Sequence, residues 1–247
     1  MWHRTFVLLL VFLGVGFAAG TGDPSAADRV SALMQQGSAH LNQSKYVEAE
    51  ASFRASLAEC EGDHEARPCE QLPLILGNLG AVYYGTNQFA KAEPLLVQAL
   101  DSLSGEMNHS ENASNLLCDL AALYRARGQY TDAERLYERA LRVIEDFKGE
   151  ADPSLLPALN GLAALYQEEE DYKGARREID RAISISNRHS DASLPEAAAS
   201  YALFGTILGA QANLEEAESW LRRSLSLRQQ LFGLKAVVGI ARIVVES

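Results

Sequence analysis

The chain repeats itself, and the period restricts its fold more than any other feature. Tyr46, Phe89, Tyr130, Tyr172 and Leu214 stand 43, 41, 42 and 42 residues apart. Three residues after each comes an alanine: Ala49, Ala92, Ala133, Ala175 and Ala217. Four further on stands a bulky residue, Phe53, Leu96, Tyr137, Ile179 or Leu221. Three beyond that is a small one, Ser56, Ala99, Ala140, Ala182 or Ser224. Steps of three and four keep these positions on one face of an α-helix. The small residues let two helices close at their crossing, and the bulky one fills the gap beside it.

A second motif precedes each copy. Leu76-x-x-Leu79-Gly80-x-x-Tyr83 recurs as Leu117-x-x-Leu120-Ala121-x-x-Tyr124 and Leu159-x-x-Leu162-Ala163-x-x-Tyr166. A looser copy is Tyr201-x-x-Phe204-Gly205-x-x-Leu208, and the loosest holds Leu33, Gln36, Gly37 and His40. An atypical first unit suits a stack whose end meets water. The chain is therefore expected to be all-α, built of helix pairs. One pair has too few apolar side chains to offset its ordering entropy, so the stack should run unbroken from 28 to about 232. Tyr83, Tyr124 and Tyr166 read as packing positions of this stack.

The two motifs together resemble the tetratricopeptide repeat (TPR), W-x2-L-G-x2-Y…A-x3-F, whose standard unit has about 34 residues. The longer unit here resembles the kinesin-light-chain-like class. The segment Arg139 to Gly149 followed by Asp152-Pro153 is similar to that class's end of repeat. The resemblance spans roughly 28–232. It implies a right-handed α-solenoid of about five helix-turn-helix repeats, near 30–62, 72–105, 114–148, 156–190 and 198–232. It also implies a non-enzymatic scaffold that holds a peptide or protein segment in its concave groove. By register that groove takes Gly77, Ala81 and Tyr84, then Asn115, Cys118, Ala122, Arg125 and Ala126, then Pro157, Asn160, Ala164, Gln167 and Glu168. Amides can pair with an extended backbone, and Arg125 can hold a carboxylate. The lysines of carboxylate-clamp repeats are missing. The alternative role is a structural component of an envelope or secretion complex.

The two ends differ from the body. Arg4, the apolar run Phe6–Phe17 and the small residues Ala18, Ala19 and Gly20 fit a signal peptide over 1–20, cleaved after Gly20. An uncleaved anchor is the alternative, although the run is short for a span. Residues 21–27 form a linker. The expectation is a secreted or periplasmic protein without membrane insertion after cleavage. At the other end, 233–247 is an apolar tail, a partial cap with a tendency to self-association.

Cys60, Cys69 and Cys118 are too few for a disulfide framework. Cys60 and Cys69 flank one connector. They stand as free thiols, as a disulfide, or, with His64 and Glu65, as zinc ligands at a spacing that matches no compact knuckle. No metal and no cofactor is expected. P-loop, nucleophile-elbow, zinc-protease and dinucleotide motifs are all missing, and the histidines fall at connectors or packing positions. The sequons at Asn42, Asn108 and Asn112 would matter only in a eukaryotic secretory pathway. Glu168 to Asp171 reads as a solvated helix end. With 22 basic and 33 acidic residues, a net charge of −11, nucleic acid is excluded as a partner.

Overall fold

Each second helix begins on the residue that opens the sequence motif. The structure, a computed structural model, describes residues 25–62, 69–103, 110–189 and 195–232. The signal segment, most of the Cys60–Cys69 connector and the C-terminal tail lie outside these residues. So do His64, Glu65, Asn108 and the expectations attached to them.

Among the described residues five antiparallel pairs follow one another: α1 (Ala26–Asn42) with α2 (Tyr46–Gly62), and α3 (Leu72–Gly85) with α4 (Phe89–Ser102). Then come α5 (Glu111–Ala126) with α6 (Tyr130–Lys148), α7 (Leu156–Glu168) with α8 (Tyr172–Arg188), and α9 (Pro195–Ala210) with α10 (Leu214–Phe232). Among the described residues there is no strand, and no helix is long and apolar enough to cross a membrane.

The crossing residues behave as small residues at a close approach must. Ala49, Ala92, Ala133 and Ala175 are completely buried, as are Ser56, Ala99, Ala140 and Ala182. Ser56 Oγ donates to the Val30 carbonyl at 3.3 Å and Ser224 Oγ to the Ala198 carbonyl at 2.6 Å. In the third pair the donor sits on the opposite helix, with Ser114 Oγ bonding the Ala140 carbonyl at 3.2 Å. A helix crossing this tight has no room for water, so a hydroxyl there takes a carbonyl from across the crossing. Phe53, Leu96, Tyr137 and Ile179 are buried beside it, but Leu221 of the last pair is 42% exposed.

The turn inside every pair uses the same backbone trick. Ser44, Asn87, Gly128, Glu170 and Ala212, each two residues before a second helix, have φ between 56° and 73°. This left-handed step lets a short turn reverse the chain. Only Gly128 adopts it free of strain, and Asn87 tolerates it well.

Consecutive pairs stack through α2 on α3, α4 on α5, α6 on α7 and α8 on α9. The first helices α1, α3, α5, α7 and α9 also touch one another in series, whereas consecutive second helices have at most marginal contact. The first-helix layer is therefore the inner, shorter side of a curved stack. Apolar side chains form a continuous core through α5 to α10, with two smaller cores toward the N-terminal end. Cys60 at the end of α2 and Cys69 before α3 are joined as a disulfide, with Cα atoms 5.7 Å apart.

Candidate functional site: the concave surface

On α5 burial leaves one stripe facing out from the inner layer. Asn115, Asp119 and Ala126 are exposed and Ala122 is half-buried, while Ala113, Leu116, Leu117, Cys118 and Leu120 are buried. The stripe runs in steps of four, three and four, one helical face. Corresponding positions are Asn78 and Ala81 on α3, Gly161 and Ala164 on α7, and Leu203 and Thr206 on α9. The floor is thus made largely of short side chains.

Cys118 does not line this groove. It is 9% exposed and belongs to the core, and burial pushes its thiol far above the ordinary range, with neighbouring Asp119 adding to the effect. The register holds for Asn115, Ala122 and Ala126 on the open stripe but not for Cys118, whose place there is taken by Asp119.

The other expected residues divide into two groups. Asn115 is exposed, and neither it nor Asn78 makes a side-chain hydrogen bond to a described residue. Asn160, by contrast, is spent on joining repeats: its amide donates to the Glu196 carbonyl at 3.2 Å and its oxygen accepts from Ser200 Oγ at 2.8 Å. Gln167 accepts from Thr206 Oγ1 at 3.3 Å. Tyr84 is half-buried against Phe89, with ring centroids 5.8 Å apart. Arg125 and Glu168 bind each other across α5 and α7, so Arg125 is not an empty carboxylate receptor. Its Nε is buried without a hydrogen-bond partner.

A tyrosine from the outer layer supports this pair from below. Tyr137 on α6 is 3% exposed, and burial holds its hydroxyl above its ordinary range while Arg125 acts in the opposite sense. The ring fits because position 161 is glycine: a Cβ there would stand 2.2 Å from Tyr137 Cε1. Gly161 is thus required by a close approach and not by its backbone angle.

Asp119 is the feature that sequence reasoning missed. Solvent reaches it, yet protein surrounds it on the inner curve, and that desolvation pushes its carboxyl up to about 7. It forms no hydrogen bond or ion pair with any described residue. Its one sequence signal was a carboxylate inside an otherwise apolar motif, Leu117-Cys118-Asp119-Leu120. Among the described residues no group of three or more His, Cys, Asp or Glu is placed to hold a metal ion.

Comparison with known proteins agrees with this architecture. Among solved structures the chain is similar to BtubC (BKLC) from P. vanneervenii, with a TM-score of 0.63 and 17% identity over 86% of this chain and 94% of that one. It is also similar to a Podosopora anserina chain of nearly identical kinesin-light-chain TPR-like repeats. That match has a TM-score of 0.58 and 18% identity over 83% and 97% of the two chains. At such identities the likeness speaks for the fold alone. The model of the MalT-like TPR region matches residues 64–245, most of the sequence, and the chain belongs to that family.

Proposed function

We propose that the concave surface of α3, α5, α7 and α9 binds an extended segment of a protein partner, without catalysis. The TPR fold suggests a scaffold for protein–protein contact, which is the coarse form of this reading. The observation that carries the finer form is the open stripe itself. Ala81, Ala122 and Ala164 leave a channel, and the amides of Asn78 and Asn115 stand beside it without a hydrogen-bond partner among the described residues. An extended backbone offers alternating donors and acceptors, and a primary amide satisfies both. The test is peptide selection from a displayed random library against the full chain, followed by titration of Ala122→Trp. Binding lost in that variant supports the groove; equal binding moves the site elsewhere.

The same proposal includes export. The series Arg4, Phe6–Phe17, Ala18-Ala19-Gly20 supports it, and so does the Cys60–Cys69 disulfide, since such bonds persist in oxidising compartments. Secreted protein that retains Met1 in an intact-mass measurement would contradict cleavage. One observation favours the second reading, an assembly component: Leu214, Leu221 and Leu225 are exposed on α10. If they form an assembly contact, Leu221→Glu will reduce self-association in sedimentation.

A further inference from the structure

From α3 to α9 the inner helices carry one cation, Arg125, against four carboxylates, Glu111, Asp119, Glu168 and Glu196. Arg125 is taken by Glu168 and Glu111 by Lys148. Glu196 lies in the first turn of α9, where a helix N-terminus favours a carboxylate. Asp119 is different. It sits at the middle of its helix, halfway along the stack, in the open stripe of the groove. Its register neighbours, Asn78 on α3 and Gly161 on α7, bring no charge.

We infer that the segment held in the groove sets a basic side chain, a lysine ammonium or an arginine guanidinium, against Asp119. This rests on the groove reading above and adds the chemistry of its ligand. A carboxylate on the open stripe without a cation among the described residues leaves its charge uncompensated, and a partner that supplies the cation compensates it on binding. Protein along the inner curve also shifts this carboxyl upward. The surroundings also suit a long basic side chain. Ala122 one turn along α5 and Ala81 on α3 leave space for its methylene stem. An acidic segment is disfavoured, because the one cation among the described residues of these inner helices already has its carboxylate, and the chain carries −11 overall.

The experiment uses the full chain and peptides selected from the displayed random library. Sequences that lose binding with Ala122→Trp should be enriched in lysine or arginine. Asp119→Asn should weaken such a peptide roughly tenfold and flatten the dependence of affinity on salt. Replacing the basic residue of the peptide by glutamine should cost about the same, and the two losses should not add. Thermal melting confirms that Asp119→Asn folds. Groove-bound peptides that lack a basic residue, or that bind Asp119→Asn as tightly as the parent, overturn this inference and leave the groove reading intact. Peptides indifferent to Ala122→Trp overturn both.

Discussion

The joints between the first four repeats and the joint to the fifth are built from different chemistry at the same register. In the first three, the tyrosine closing the first-helix motif reaches back to a glutamate on the second helix of the preceding repeat. Tyr83 donates to Glu50 at 2.7 Å, Tyr124 to Glu93 at 3.0 Å and Tyr166 to Glu134 at 2.5 Å. Each glutamate directly follows the crossing alanine. At the fourth joint both members change together: leucine, Leu208, replaces the tyrosine and Arg176 replaces the glutamate. Leu208 is fully buried, and Arg176 lies over the Phe204 ring, 4.4 Å from its centroid, with Asp180 as ion partner. The pair is thus one structural unit. A tyrosine without its acceptor would bury an unsatisfied hydroxyl, and a glutamate facing leucine would lose its donor. Burial first, and then Glu134, raise the Tyr166 pKa far above its ordinary value, so that latch keeps its donor at every physiological pH.

The largest expected effect comes from copying the last joint into the third at the groove floor. Gly161 and Tyr137 there correspond to Leu203 and Ile179 at the fourth joint. Gly161→Leu drives its side chain into the Tyr137 ring and should cost about 3 kcal/mol in denaturant unfolding. Adding Tyr137→Ile should return roughly half of it. No recovery would mean that the two positions do not share a volume.

Next in size is the latch itself. Tyr166→Phe should cost about 1–2 kcal/mol, because it strips a charged acceptor of its donor. The reverse transplant sharpens the comparison. Leu208→Tyr and Arg176→Glu should each destabilise, and the double variant should recover about 1 kcal/mol relative to their sum. Simple additivity in that cycle would show that the covariation along the chain is accidental.

These joints also mark how much was legible in the sequence. The second helices start where the motif opens, and the crossing alanines are buried, because a fixed spacing of small and large residues has few packing solutions. The Tyr–Glu latch was present in the same rows, but burial pattern alone assigns Tyr83, Tyr124 and Tyr166 to packing and says nothing of where a hydroxyl points. The groove was legible at Ala81, Asn115, Ala122, Ala126 and Ala164 and misread at Gly77 and Cys118, which are buried. Positions 115, 118, 122 and 125 straddle two faces of α5, and which face opens depends on how α3 and α7 lie against it. That Asn160 bonds Ser200 and that Arg125 bonds Glu168 are facts of stacking between repeats, invisible to local register.

The turns provide a smaller contrast. Gly128 in the third repeat takes its left-handed step without strain, whereas Ala212 in the fifth holds φ 63° with a Cβ. Ala212→Gly should raise stability by about 1 kcal/mol, less the extra entropy glycine adds to the unfolded chain. Gly128→Ala should lower it by a similar amount. Two variants with the same melting temperature as the parent would remove strain as a difference between the repeats.

The smallest expected effect separates the groove from the joints, because there the native residue costs stability instead of adding it. Enclosure raises the Asp119 carboxyl from its ordinary value of 3.8 to about 7, so the folded chain holds this proton more tightly than the unfolded one does. The sign follows from linkage: the contribution is fully favourable below about pH 4 and is lost as pH rises through about 7. Asp119→Asn carries no titrating group. It should therefore melt above the parent at pH 8 and together with it at pH 4. The other carboxylates are common to both proteins and cancel in the difference. Because solvent reaches Asp119, the gain at pH 8 should be only about 0.5 kcal/mol. A groove residue whose removal stabilises the fold fits a position kept for a ligand, since binding sites commonly hold groups that packing alone would reject. If Asp119→Asn instead melts lower at pH 8, the carboxylate has a partner within the fold. It would then belong with the latches of the joints and not with the groove.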